Sequence, residues 1–222
     1  MTKPAVVLLH GLARSSRSMA AMAQALTEAG FNPWVCDYPS TTGEIPALAR
    51  SVAERIHARL GDQPVYAVTH SLGGIVLRHL RDDRIKWRRA VMLAPPNNGS
   101  AVAAAVQGHG GAVADIFRHV FGAAGGELAG ARAMDRPWPF PPAPFAVIAG
   151  TRKWGRNPTS ILGARIFGAD VDHDGTVAVD ETRLPGMAAF ETVDASHTVI
   201  MDNPRAIALT VRFLQRGFFA GA

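Results

Sequence analysis

Short apolar runs alternate along most of this 222-residue chain with stretches whose apolar residues recur every three or four positions. Runs of about five apolar residues bounded by turn residues are typical of buried strands, and the three-to-four spacing is typical of amphipathic helices. The six predicted strands are Ala5–Leu9, Asn32–Cys36, Val65–Thr69, Arg89–Ala94, Phe145–Ala149 and Phe190–Val193. The helices predicted between and after them are Ser15–Ala29, Glu44–Leu60, Leu72–Arg81 and one that begins at Pro204. This alternation predicts an α/β fold with a six-stranded, mostly parallel sheet and helices on both faces.

One segment interrupts the alternation between the fourth and fifth predicted strands. Residues 96–144 are rich in alanine and glycine, predict one helix over Ala112–Phe121 and end in the sequence RPWPFPPAP. A loop of this length inside a compact domain is usually functional or carries its own structure. We therefore predict a single domain over residues 1–222, with residues 96–144 inserted as a lid. A mobile linker is the alternative.

Composition and charge narrow the classes of protein that fit. Hydrophobic residues make up 48% of the chain, which is enough for a sizeable core, and the net charge is +5. The densest basic groups, residues 50–59 and 78–89, also contain acidic residues and lie on or beside predicted helices. Such mixed groups are typical of solvated helix faces, so we expect no nucleic-acid partner.

The cysteine content and the amino-terminal sequence bear on the compartment. Cys36 is the only cysteine, which excludes an intrachain disulfide and favours a reducing environment. The first apolar run, Ala5–Leu9, is too short for a signal-peptide core or a membrane span. We expect a cytoplasmic protein without an integral membrane segment.

A serine stands between the third predicted strand and the following helix, in the sequence THSLGG (residues 69–74). A nucleophilic serine on a sharp strand-to-helix turn has the pattern G-x-S-x-G, because its strained backbone leaves no room for large side chains two positions away. Gly73 fits this pattern, whereas Thr69 stands where the first glycine is usual. We predict that Ser71 is a nucleophile. The alternative is an ordinary turn in which Ser71 caps the helix.

Two backbone N–H groups are expected beside this serine, because the oxyanion that forms on acyl transfer needs donors aimed at it. One is the N–H of Leu72, at the start of the helix. The other comes from the loop after the first strand, where the sequence HGL (residues 10–12) indicates the N–H of Leu12. His10 is expected to hydrogen-bond this loop and not to act as a base.

The general base is expected to be a histidine beyond the carboxyl end of a late strand, since parallel strands all end at one edge of the sheet. Four of the eight histidines lie on predicted helix surfaces or in the insertion, and His10 lies in the loop after the first strand. His70 flanks the serine, with its side chain expected to point away from that of Ser71. His173 and His197 remain. His197 follows the sixth predicted strand directly and precedes the last helix, so we predict that it is the base.

The third group must be a carboxylate between the serine and the histidine that orients the imidazole and stabilises its charge. Four aspartates in one segment compete for this role: Asp170, Asp172, Asp174 and Asp180. We favour Asp174, because the glycine after it permits a tight turn that presents the side chain, and Asp172 is the next candidate. The spacing of the first three also resembles a calcium loop, but the distal glutamate of such a loop is missing. We expect no metal.

The order serine, aspartate, histidine is that of α/β-hydrolases. The chain resembles small α/β-hydrolases of the lipase and esterase superfamily over nearly its full length, in the motifs VVLLHGL, THSLGG, HDGTVAV and SHTVIMDNP. The segment LAPPNNGSAVA is also similar to the TPHxGS stretch of bacterial triacylglycerol lipases and lipid-deacylating relatives. On this resemblance, the first predicted strand corresponds to what the family counts as its third, and we expect neither the disulfide nor the leader that are common among secreted lipases.

This resemblance implies an α/β-hydrolase fold and a serine hydrolase that cleaves a small-molecule carboxylic ester through an acyl-enzyme, without a cofactor. A thioesterase or a lipid deacylase is the alternative among enzymes, and a non-catalytic module that binds a ligand or a partner is the alternative outside them. Apolar residues are expected to line the substrate pocket or to pack within the lid: Leu12, Val102, Phe117, Phe121, Trp138 and Phe140. The oligomeric state is left open by the sequence.

Overall fold

Six strands pair side by side at the centre of the molecule. The computed structural model describes residues 3–108, 122–130, 138–154 and 158–219. Its strands are β1 (Ala5–Leu9), β2 (Asn32–Cys36), β3 (Val65–His70), β4 (Trp87–Leu93), β5 (Phe145–Gly150) and β6 (Ala189–Val193). They form one sheet in the order β2-β1-β3-β4-β5-β6, and every neighbouring pair is parallel. The predicted α/β class and the six strands are confirmed, and the sheet is parallel throughout.

Helices follow the strands on both faces of this sheet. They are α1 (Ala20–Glu28), α2 (Ile45–Leu60), α3 (Leu72–His79), α4 (Ala101–Gly108), α5 (122–130), α6 (Pro158–Phe167), α7 (Val179–Thr182) and α8 (Pro204–Arg216). Short 3-10 turns, Ser16–Met19 and Ile200–Asp202, precede α1 and α8. No helix within the described ranges is both long and apolar enough to cross a membrane.

The first predicted helix is therefore shorter than expected, since Ser16–Met19 winds as a 3-10 turn before α1 begins. Four helices, α4 to α7, were not predicted from the sequence, because their alanine- and glycine-rich or very short segments carry little amphipathic pattern. The helix predicted over Ala112–Phe121 lies outside the described residues. The single domain with a lid over residues 96–144 stays a prediction.

The core lies in two layers, one on each face of the sheet. Alternate residues of β1 divide between them, with Val7 and Leu9 in the layer under α2 and α3, and Val6 and Leu8 in the layer under α1 and α8. All five residues of β1 are buried. Burial on both faces explains why the strand reads as an unbroken apolar run and not as an alternation.

The last helix is fixed at both ends by its sequence. The side chain of Asn203 accepts hydrogen bonds from the N–H groups of Arg205 and Ala206, and Pro204 occupies the first turn, where its missing N–H costs little. Gly217 closes the helix with a left-handed φ of 87°. This placement sets the loop between β6 and α8 at the carboxyl edge of the sheet. The loops after β1, β3 and β5 reach the same edge.

Candidate active site

Ser71 occupies a strained turn between β3 and α3. Its backbone has φ 51° and ψ −122°, a conformation that residues other than glycine rarely adopt. Strain of this kind costs of order 1–3 kcal/mol and persists only where the surroundings impose it. The N–H of Ser71 donates to the carbonyl of Leu93 at the end of β4, at 2.9 Å, which holds the turn to the neighbouring strand.

Two glycines let the chain pack closely around this turn. A Cβ atom at Gly73 would lie 2.5 Å from the carbonyl oxygen of Leu9 and 2.8 Å from that of His10. A Cβ atom at Gly11 would lie 3.2 Å from the Cβ atom of Ser71. The loop after β1, here called the β1 loop (residues 10–15), therefore runs directly against the serine turn, and glycine is required on both sides of the contact.

Thr69 stands where the nucleophile motif usually has glycine, and the fold accommodates it inside β3. Its side chain is fully buried, and its hydroxyl has no hydrogen-bond partner among the described residues. A Cβ atom at Gly74 would come within 3.3 Å of that hydroxyl, so the glycine after the motif leaves space for the threonine. The substitution thus preserves the turn and leaves a buried polar group unsatisfied.

The structure brings the three predicted side chains together. The Oγ atom of Ser71 lies 3.0 Å from Nε2 of His197, and Nδ1 of His197 donates to Oδ2 of Asp174 at 2.7 Å. The other carboxylate oxygen of Asp174 accepts the N–H groups of Thr176 and Val177 at 3.0 and 2.8 Å. Because Nδ1 carries the proton, Nε2 is free to accept one from the serine. All three residues are buried.

The competing aspartates lie apart from the histidine. Asp170 and Asp172 are exposed, and Asp180 is an exposed residue that pairs with Arg183 at 3.4 Å. Within the described ranges, no group of three or more histidine, cysteine, aspartate or glutamate side chains is placed to hold a metal ion. The other late histidine, His173, is buried, and its Nδ1 accepts the N–H of Gly175 at 3.0 Å. It therefore supports the turn that carries Asp174.

The two predicted oxyanion donors lie on the two segments that meet at the serine turn. Leu72 is the first residue of α3, and Leu12 is a half-buried residue of the β1 loop. Neither N–H group has an acceptor among the described residues, whereas the next N–H along the β1 loop, that of Ala13, donates to Oγ of Ser40 at 3.1 Å. Neither N–H group is therefore committed to a hydrogen bond within that part of the chain.

His10 has the structural role that the sequence suggested. Its Nδ1 lies 3.0 Å from the carbonyl oxygen of Gly11, and its Nε2 lies 3.1 Å from Oδ1 of Asp37 and 3.4 Å from the main-chain nitrogen of Tyr38. The imidazole also stacks on the ring of Tyr38, with centroids 4.4 Å apart. These contacts fix the start of the β1 loop.

The predicted pocket residues are scattered. Val102 is buried on α4, and Trp138 is buried against Arg78 and His79, at the far end of α3 from the serine. Phe140 is 52% exposed. Phe117 and Phe121 lie outside the described residues. A pocket lined by these side chains stays a prediction.

The prediction that Arg78 lies on a solvated helix face is wrong. The side chain is 1% exposed, and its guanidinium donates to the carbonyls of Asn97, Trp138 and Pro139 at 2.8, 2.7 and 2.6 Å. These carbonyls flank the insertion at both ends, so one buried cation fastens the insertion to α3. Burial lowers the pKa of Arg78 to about 10. Charge alone suggested solvent, but three carbonyl acceptors replace the lost hydration.

For His70, the sequence predicted only that its side chain points away from that of Ser71, and it gave no sign of the contact that this side chain makes. It is the last residue of β3 and is almost fully buried. Its Nε2 donates to the main-chain carbonyl of His197 at 2.9 Å. No local pattern in the sequence indicates this contact, because its two partners are 127 residues apart.

Solved structures share this fold at low sequence identity. The mature form of the lipase BlEst2 of Bacillus licheniformis is 24% identical, with 90% of this chain and 87% of that chain covered and a TM-score of 0.67. Against the propeptide form of the same lipase the identity is 22% and the TM-score 0.70, and this chain spans about half of that chain (47%). A metagenomic carboxyl esterase is 16% identical, with 98% of this chain and 77% of that chain covered and a TM-score of 0.74.

No curated protein matches the chain in sequence. Residues 6–210, however, match the alpha/beta hydrolase family, which covers most of the chain and both motifs around Ser71 and His197. Together with the parallel sheet, this match shows that the chain belongs to the alpha/beta hydrolase family.

Proposed function

We propose that this protein is a serine hydrolase that cleaves carboxylic esters, with Ser71 as nucleophile, His197 as general base and Asp174 as the group that orients the base. One observation carries the proposal: a continuous chain of short hydrogen bonds from the serine hydroxyl through the imidazole to a buried carboxylate. A serine hydroxyl at its ordinary pKa is a weak nucleophile, and an adjacent, correctly oriented base activates it.

In the proposed reaction, Oγ of Ser71 attacks the ester carbonyl carbon while its proton passes to Nε2 of His197. The N–H groups of Leu12 and Leu72 stabilise the oxyanion of the tetrahedral intermediate. The intermediate collapses, the C–O bond to the alcohol breaks, and the imidazolium protonates the departing alcohol. Water then attacks the acyl-enzyme with His197 again as base, which releases the carboxylic acid and restores the serine.

Asp174 has two parts in this scheme. Its Oδ2 holds the proton on Nδ1 of His197, so that Nε2 faces the serine as an acceptor. Its Oδ1 accepts two main-chain N–H groups, which fix the rotation of the carboxylate. The ionised carboxylate in turn stabilises the imidazolium that forms during the attack.

The substrate proposed is a small-molecule ester or acyl compound. The structures of a lipase and a carboxyl esterase on the same fold support this class. We also propose that residues 96–144 form a lid over the site. Two side chains anchor its helices: the N–H of Ala101 donates to Glu181 at 2.8 Å, and Glu127 accepts the N–H of Ile45 at 2.7 Å.

A cytoplasmic location is part of the proposal and rests on Cys36 alone. This cysteine is free and buried, and burial raises the pKa of its thiol to about 11, so it is protected from oxidation. A free thiol of this kind fits a reducing compartment. Fractionation of cells that express the protein tests the location directly.

A fluorophosphonate probe tests the function. We expect stoichiometric labelling at Ser71, located by mass spectrometry, together with turnover of p-nitrophenyl esters whose best acyl length is found from a series. Ser71→Ala should lose both, whereas Ser51→Ala, an exposed serine of α2, should keep both. Faster turnover of matched thioesters or acylated lipids would favour the thioesterase or deacylase alternative. A folded protein that is never labelled would favour the binding module.

A further inference from the structure

We propose that His70 is a positioning residue that fixes the loop carrying the catalytic histidine, here called the base loop (residues 194–199), to the strand that carries the nucleophile. The proposal rests on the proposed roles of Ser71 and His197. It assigns a function to the residue directly before the serine. His70 itself takes no part in proton transfer.

The geometry joins the two halves of the site through one side chain. Nε2 of His70 donates to the carbonyl oxygen of His197 at 2.9 Å, and the two imidazole rings lie 4.9 Å apart between centroids, tilted by 48°. Ser71 is the next residue along the chain. Ser71 therefore supplies the nucleophile, and the side chain of His70 holds the main chain of the base.

The acceptor identifies which nitrogen of His70 carries a hydrogen. A carbonyl oxygen can only accept, so Nε2 donates to it, and the ring is neutral when Nδ1 carries no hydrogen. This Nδ1 is buried without a hydrogen-bond partner among the described residues, and a Cβ atom at Gly11 would lie 2.8 Å from it. A buried nitrogen without a partner is costly for stability. The fold bears that cost while the opposite nitrogen holds the base loop.

His70 also stays neutral while its neighbour changes charge. Burial is the main reason that the pKa of His70 lies well below its usual value of 6.5, and the nearby His197, Arg14 and His10 lower it further. The hydrogen-bond donor is therefore the same before and after His197 takes the serine proton. A charged imidazole at this position would instead oppose the imidazolium that the reaction requires.

Arg152 and Asn203 hold the start of the same loop through Asp194 and Ala195. Two further contacts, each from a different element, hold it at His197 and Thr198. The N–H of His197 donates to the carbonyl of Asp174 at 2.9 Å, and the guanidinium of Arg14, in the β1 loop, donates to the carbonyl of Thr198 at 3.1 Å. Arg14 is exposed, so water can replace its contact. His70 is buried, so no water can replace its donor. Loss of this donor should let the base shift, and a shift of about 1 Å can cost about 10²-fold in rate.

Two substitutions separate the donor from the volume of the ring. The amide nitrogen of glutamine can donate from about the position of Nε2, whereas leucine fills the space without a donor. His57→Leu, at a half-buried histidine of α2, is the matched control. Competent sites are counted by fluorophosphonate titration, and kcat per titrated site and KM are then measured with p-nitrophenyl butyrate over a range of pH.

We expect His70→Leu to lower kcat per competent site by about 10-fold or more with KM nearly unchanged, because the base is misplaced and substrate binding is not. The fluorophosphonate labelling rate should fall in parallel. His70→Gln should restore most of the rate, and the control should behave as the unmodified protein. Undiminished kcat in His70→Leu, or equal losses with glutamine and leucine, would overturn the proposal.

A measurement on the unmodified protein covers the case in which the variants do not fold. Long-range ¹H–¹⁵N spectra of the histidine rings should show His70 as the Nε2–H tautomer, unchanged from about pH 5.5 to 8. An Nδ1–H tautomer, or titration of this ring near 6.5, would overturn the proposal. An unmodified protein that is neither labelled nor active overturns the proposed function instead, and the ring spectra still report on the contact.

Discussion

Asp174 and His197 are joined twice, through their side chains at 2.7 Å and through their main chains at 2.9 Å. The two residues are 23 positions apart, on the turn after α6 and on the loop after β6. Gly150 ends β5 beside both, and a Cβ atom there would lie 2.8 Å from that of Asp174 and 2.5 Å from the carbonyl oxygen of Ala195. Because the main chains are bonded as well, the position of the carboxylate relative to the imidazole does not depend on side-chain rotation alone.

Asp174→Asn should lower kcat by about 10⁴-fold, as the equivalent change does in other serine triads. An amide can donate to Nδ1 of His197, which moves the ring proton to Nε2 and leaves no acceptor for the serine. Ester turnover and fluorophosphonate labelling rates measure the loss. Asp172→Asn is the control, because that carboxylate is exposed, and it should be nearly unaffected. A larger loss of kcat in Asp172→Asn than in Asp174→Asn would show that Asp174 is not the carboxylate of the triad.

Gly73→Ala should damage stability and activity together. The new methyl group would lie 2.5 and 2.8 Å from two carbonyl oxygens, so the serine turn or the β1 loop must move. Overpacking of this kind costs roughly 1–3 kcal/mol, which lowers Tm by several degrees in a chain of this size. Gly108→Ala is the control, since a Cβ atom there meets no described residue within 4 Å. Thermal melts and labelling rates should separate the two variants.

Thr69→Val should stabilise the protein. Valine keeps the branched shape inside β3 and removes a buried hydroxyl that has no partner among the described residues. The expected gain in the free energy of unfolding is about 1 kcal/mol, measured by urea denaturation. Thr210→Val provides the contrast, because that buried hydroxyl donates to the carbonyl of Ala206 at 2.7 Å. It should lose stability, and a gain of similar size in both variants would contradict the explanation.

Stability should fall as the pH is lowered from about 7.5 to 5.5. Burial holds the pKa of His70 well below 6.5 in the folded state, whereas the unfolded chain takes up the proton near 6.5. The unfolded state therefore binds more protons below 6.5, and each such group contributes a slope of up to about 1.4 kcal/mol per pH unit. Burial also lowers the pKa of His79 and of His173, so these two groups change the stability with pH in the same direction as His70.

Urea denaturation at a series of pH values measures this slope. His70→Gln removes the group whose pKa lies furthest below its usual value, so the free energy of unfolding of this variant should depend less steeply on pH over the same interval. An unchanged slope in that variant, or a stability that rises as the pH falls, would contradict the assignment.

Local patterns in the sequence determined the sheet and the ends of its strands. Apolar runs predicted all six strands to within two residues, because burial on both faces favours apolar side chains along the central strands. The glycine-rich turn around Ser71 and the position of His197 after the last strand were equally readable, since parallel strands deliver their carboxyl ends to one edge. These features depend on neighbours in the chain.

Tertiary structure alone decided which distant groups meet. Four aspartates shared one segment, and only the folded chain brings Asp174 and not Asp172 to the imidazole. Charge placed Arg78 on the surface, but three carbonyls from both ends of the insertion surround it in the interior. The contact of His70 with a carbonyl 127 residues away likewise forms only in the folded chain. A sequence pattern records burial and turns, whereas the partner of a buried polar group is fixed only when separate segments pack together.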